Sequence, residues 1–211
     1  MWRPELAFDE RALATVQGYA RAFCVTSTHH RGTEARPGLV LGLDRGGACT
    51  GVAYRIATAN WTATLAYLRE RELIYGVYRE AQVATHLPGP QSRTIQALTY
   101  VVERRHPSYA GLLPLARQAQ MIRAARGVSG ANLDYLINTV HQLRALGICE
   151  RDLERVLSLA GGMAARGPAA AMCRPAVAAL TRAWQGRTVD AKRLTKGERR
   201  RFGYRWRIAA M

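Results

Sequence analysis

The chain has 211 residues, 48% of them hydrophobic, and a net charge of +16. That length and composition exclude a disordered chain and allow a core that needs neither metal nor disulfide staples. The charge is uneven: residues 182–211 hold ten Arg/Lys against Asp190 and Glu198, a net +8, and the other 181 residues share the remaining +8.

In chain order, "MWRPELAFDERALA" carries acids where a secretion signal needs an apolar stretch, so no such signal is expected. "GYARAFCVTST" (18–28) reads as a strand. In "PGLVLGLDRGG" (37–47), Leu39, Leu41 and Leu43 alternate, and in "GVAYRIA" (51–57) so do Val52, Tyr54 and Ile56. The intervening Asp-Arg-Gly-Gly reads as a turn, which makes the pair a hairpin. Residues 60–72, "NWTATLAYLRERE", form a helix that Asn60 can cap. Strands are expected at 75–87 and 95–105, joined by the turn "LPGPQS". A helix over 113–127 ends at Gly127, and one over 129–147, with Asn132 as its N-cap, carries Leu133, Leu136, Ile137, Val140, Leu143 and Leu146. A further helix covers 149–162, and the Ala-rich stretch 159–180 is too interrupted by Arg166, Arg174 and two prolines to span a membrane. Strands first and helices later give an α+β class with a mixed or antiparallel sheet.

The expected helix 60–72 carries two glutamates near its end. Trp61, Leu65, Leu68 and Glu72 follow one another at steps of four, three and four, so they share the face turned to the sheet. Glu70 lies about 200° round the helix from Glu72 and points to water. A carboxylate ending an apolar row is partly desolvated, the setting of a proton carrier. The plainer alternative is a Glu72 that pairs with Arg69 or Arg71. Cys24, Cys49, Cys149 and Cys173 show no CxxC spacing, and the histidines no HxxxH or HxH spacing. Four reduced thiols in a cytoplasmic protein, with no metal site and no cofactor, are therefore expected.

In this order, "MWRPE" (1–5), "GYARAFCVTSTHHRGTEARPGLVLGLDRGGACTGVAYRI" (18–56), "YLRERELIYGVY" (67–78), "YAG" (109–111) and "GVSGANLDYL" (127–136) resemble the ChaC family of glutathione-specific γ-glutamylcyclotransferases. The resemblance implies a small mixed or antiparallel barrel-like sheet with flanking helices and a helical C-terminal half, in a domain expected over 1–180; the charge distribution marks 181–211 as a basic tail. It implies a lyase that converts glutathione to 5-oxoproline and cysteinyl-glycine, with Glu72 as the acid/base. Ser27, His30, Arg31, Tyr54 and Tyr109 are the implied substrate-binding positions. From the residues alone, His30 and Arg31 equally suit a structural corner, Tyr54 a core, and Tyr109 a packed turn. In the family a strand and a Tyr-Gly-Ser-Leu loop precede the Trp-Arg/Lys-Pro motif, which here is Trp2-Arg3-Pro4 directly after Met1. The resemblance places that loop upstream of the start given; the alternative is a truncated, inactive scaffold. Glu34 stands where the family has a proline. The partner expected is glutathione, with no membrane, and nucleic acid only through the tail, where "KGERRRFGYRWR" (196–207) interleaves aromatic and basic residues. The tail is expected to be dispensable for catalysis.

Overall fold

The structure is a computed structural model that describes residues 6–161 and the backbone of 204–209. In chain order the elements are β1 (Glu10–Ser27), β2 (Gly38–Ala57), α1 (Thr58–Glu72), β3 (Tyr78–Leu87), β4 (Arg93–Val102), α2 (Leu115–Ala124), β5 (Arg126–Gly127), β6 (Gly130–Ala131), α3 (Asn132–Ala145), α4 (Arg151–Leu159) and β7 (Tyr204–Ala209). This is the expected α+β class. By contacts the chain divides into a first unit, 1–21 with 43–101 and 178–211, and a second, 22–42 with 102–177.

The first unit is built on a barrel-like sheet whose strands follow the ring order β1-β2-β7-β4-β3. β3 pairs antiparallel with β1, Thr15 opposite His86 and Val16 opposite Thr85. β7 lies antiparallel to β2, from Val52 opposite Ala209 to Ala57 opposite Tyr204. It is parallel to β4, with Ala97 opposite Trp206 and Leu98 opposite Arg207, so the sheet is mixed. One buried cluster gathers Ala14, Val16, Ala53, Val83, Leu87 and Ala97. Its small residues suit the tight interior of a few-stranded ring. A second cluster packs Leu68 of α1 against Leu6 and Tyr100, with Tyr67, Leu73 and Tyr78 at its edge.

The second unit holds the ends of β1 and β2 together with α2, α3 and α4, which pack on one another. Ile122, Leu136, Val140, Leu143, Val156 and Leu157 are among its buried helical residues. Asn132 is fully buried, and its amide clamps β2: Oδ1 accepts from the Leu39 N–H (2.7 Å) and Nδ2 donates to the Leu39 carbonyl (2.8 Å).

Several expectations need correction. Residues 38–57 are one strand, not a hairpin: Gly46 (φ 109°) and Gly47 (φ 69°) bend it without reversing it. β1 begins at Glu10, well before residue 18. α1 starts at Thr58 after an Ala57 cap, leaving Asn60 inside the helix. α3 likewise follows Ala131, and Asn132 spends its side chain on β2 rather than on a cap. α2 stops at Ala124, and Gly127 belongs to the short β5–β6 hairpin. Residues 204–209, read from the sequence as part of a basic tail, are a strand of the sheet; the rest of 181–211 lies outside the described residues. Cys24 and Cys49 are buried and form no disulfide, whereas Cys149 is disulfide-bonded, so the expectation of four reduced thiols does not hold.

Candidate functional site

α1 delivers Glu72 to the point where the chain turns into β3. The Leu73 amide donates to the Arg69 carbonyl (3.0 Å) and the Gly76 amide to the Leu73 carbonyl (3.0 Å). Gly76, at φ 66°, then reverses the chain into β3. Thr64 and Leu68 are the buried residues of the helix. Trp61, Leu65 and Glu72 are half-buried and Glu70 is exposed, so the two glutamates differ in environment as the helical spacing requires.

The two arginines flanking Glu70 are occupied elsewhere. Arg69 grips Glu80 of β3 with both ends of its fork, Nε to Oε1 and Nη2 to Oε2, each 2.8 Å. That pairing raises the pKa of the Arg69 guanidinium, Glu80's hydrogen bonds being the main cause. The Tyr100 hydroxyl of β4 donates to the same Glu80 Oε1 at 3.1 Å. Arg71 donates to the Tyr67 hydroxyl and lies over that ring, 5.4 Å from its centroid. Among the described residues, no hydrogen bond or ion pair joins Glu72 to either arginine. Tyr54, also in the first unit, is buried in β2 with its ring edge-on to Phe8, centroids 5.0 Å apart.

Ser27, His30, Arg31 and Tyr109 belong to the second unit. The first three meet at one corner. The Arg31 amide donates to Ser27 Oγ (3.0 Å), and Arg31 Nη1 donates to the Ser129 carbonyl (2.6 Å). The Arg31 guanidinium also lies 5.3 Å from the centre of the Tyr135 ring. His30 Nδ1 and Ser129 Oγ are 3.1 Å apart. Glycine is required here by close backbone approach: a Cβ on Gly127 would stand 2.3 Å from the His29 carbonyl oxygen, and one on Gly38 2.2 Å from that of Arg31. Tyr109 bridges to Val25 of β1 by backbone pairing, and the Arg104 guanidinium lies 5.8 Å from its ring centre.

The spacing of the sequence revealed neither the Glu80 partner of Arg69, nor the Tyr100 partner of Glu80, nor the Leu39 partner of Asn132. Each partnership joins different elements, and no periodicity links them. Among the described residues no group of three or more His, Cys, Asp or Glu is placed to hold a metal ion.

The family model of ChaC-like protein matches residues 1–160. The chain belongs to the ChaC-like family. Among curated relatives of this ChaC-like chain, the glutathione-specific γ-glutamylcyclotransferase of Escherichia coli (strain K12) is 36% identical over 157 residues, covering 74% of this chain and 67% of that protein. Glutathione-specific γ-glutamylcyclotransferase 1 of Homo sapiens is 34% identical over 149 residues, 70% of this chain and 67% of its own length. γ-Glutamylcyclotransferase 2-3 of Arabidopsis thaliana is 31% identical over 157 residues, 72% and 79% of the two chains. A crystal structure of a γ-glutamyl cyclotransferase specific to glutathione from yeast superposes with a TM-score of 0.66 at 22% identity, covering 75% of this chain and 90% of that one. That likeness shows the ChaC-like chain to have the same fold. Among its described residues no helix is long and apolar enough to cross a membrane.

Proposed function

We propose that this ChaC-like chain is a glutathione-specific γ-glutamylcyclotransferase and that Glu72 is its acid/base. The relatives' named activity supports the substrate. The observation that carries the residue assignment is a half-buried carboxylate at the end of α1 whose neighbouring arginines are held by Glu80 and Tyr67.

The reaction needs little besides placement and proton transfer. The α-amine of the γ-glutamyl group attacks its own side-chain carbonyl carbon. A new C–N bond closes the five-membered ring, and the amide C–N bond to the cysteine nitrogen breaks. Because the attack is intramolecular, holding the substrate folded supplies much of the acceleration. Glu72 takes the proton that the attacking amine loses and returns it to the departing amine, giving 5-oxoproline and cysteinyl-glycine. No redox step and no cofactor enters this scheme. Ser27, His30, Arg31, Tyr54 and Tyr109 are its substrate-side residues. The hydrogen bonds at the corner support a positioning role for Ser27 and Arg31. The cytoplasm, where glutathione is abundant, is the location this reading assigns on its substrate, and the disulfide at Cys149 is unusual for so reducing a compartment.

The test is to incubate the chain with glutathione and quantify both products. Equimolar 5-oxoproline and cysteinyl-glycine, formed at an unchanged rate with a chelator present, are the expected result. Absence of 5-oxoproline, or its loss on chelation and return with zinc, contradicts the reading.

A further inference from the structure

We propose that Arg69, Glu80 and Tyr100 form a brace that fixes the last turn of α1 and thereby positions the Glu72 carboxylate. This rests on the reading of Glu72 as the acid/base. Helix ends fray where their final carbonyls lack partners. α1 begins without a side-chain cap and ends in a turn in which the Leu73 amide bonds to the Arg69 carbonyl and the Gly76 amide to the Leu73 carbonyl. The bidentate Arg69–Glu80 pair, two bonds of 2.8 Å, ties that end to the sheet, and the Tyr100 hydroxyl bonds to the same Glu80. Glu80 stands on β3 and Tyr100 on β4, so the brace joins one helix to two strands. A bidentate fork fixes direction as well as distance, which a lysine in place of Arg69 would not do.

Arg69 precedes Glu72 by three residues, which makes them neighbours on the helix surface. Without Glu80, the nearest carboxylate for Arg69's charge along the helix would be Glu72 itself, in an ion pair that competes with proton transfer. The brace therefore has two consequences for the reaction: it holds the backbone that carries Glu72, and it keeps Arg69's charge on another acid. Its contribution to global stability is small, because the Arg69 side chain is 53% exposed and exposed pairs add little. Activity and stability should therefore separate.

The experiment compares the full chain with Glu80→Gln, with Arg69→Glu, and with the exchanged pair Arg69→Glu/Glu80→Arg. Amide hydrogen exchange at Leu73 and Gly76 is read by NMR beside kcat and KM for glutathione. The single variants are expected to exchange several-fold faster at both amides and to lose on the order of ten- to a hundred-fold in kcat, the range a small misplacement costs. KM should change little, and the exchanged pair should recover most of kcat. Unchanged exchange, unchanged kcat, or a loss confined to KM would each overturn the brace. Should the wild-type chain release no 5-oxoproline, the acid/base reading falls on its own, and the exchange rates alone decide whether the brace holds the helix end.

Discussion

Asn132 shows how one side chain can carry a connection that its neighbours do not announce. It is fully buried, and its amide satisfies both the N–H and the carbonyl of Leu39. Asn132→Leu keeps the volume and strands both backbone groups, each of which costs about 1–3 kcal/mol when left buried without a partner. A fall in the melting temperature of about 10 °C is expected in a thermal scan, and a fall of 2 °C or less would show that water replaces the amide. An asparagine just ahead of an apolar helical run reads as an N-cap, because caps are where asparagine is commonest. Here the same residue sits one position inside the helix and turns inward, which sequence spacing cannot distinguish. Glu72 and Glu70 were separable from the sequence because a helix's 100° step puts them on different faces, and their unequal burial follows that geometry. What was not legible is that Arg69 pairs with Glu80, since Glu80 lies beyond a turn and on another element.

At the scale of elements, regular patterns were readable and interruptions were not. The helical period of α3 and the alternation in β3 and β4 place those elements within a few residues of where they stand. Gly46 and Gly47 after Asp44-Arg45 look like a hairpin turn, yet β2 runs through them with a bend. Tyr204, Trp206 and Ile208 alternate with Arg205 and Arg207, the period of a strand. Charge density obscured that signal, and the segment reads as a tail. Since β7 pairs with β2 along six residues, ending the chain at residue 203 should expose the backbone edges of β2 and β4. Such a chain is expected to melt about 5–10 °C lower and to aggregate more readily on heating. A truncated chain with the wild-type melting temperature would show that β7 adds nothing to the sheet. Two glycines of the second unit give a sharper contrast. Gly127→Ala drives a methyl into the His29 carbonyl and should cost about 2–3 kcal/mol, measurable by urea titration. Gly161→Ala meets no neighbouring atom and bears only the strain of its positive φ of 79°, about 1 kcal/mol.

Across the whole molecule the charge and the chemistry separate. Half of the net +16 falls in residues 182–211, and most of that segment lies outside the described residues. If this charge binds nucleic acid, it does so by neutralising phosphates, and affinity for single-stranded RNA must fall steeply with salt. Replacing Arg199, Arg200 and Arg201 by Gln should flatten the slope of log affinity against log salt by about 2, with 5-oxoproline formation unchanged; an unaltered slope would remove those arginines from any such contact. The central claim is narrower: a ChaC-like chain whose chemistry rests on one carboxylate at the end of α1. The direct measurement is the rate of 5-oxoproline release from glutathione by wild type, Glu72→Gln and Glu70→Gln, with circular dichroism to confirm that all three fold. Loss of at least about a hundred-fold is expected for Glu72→Gln, in the range of a missing general acid/base, with Glu70→Gln equal to wild type. Equal losses in the two variants, or full activity in Glu72→Gln, would contradict the account.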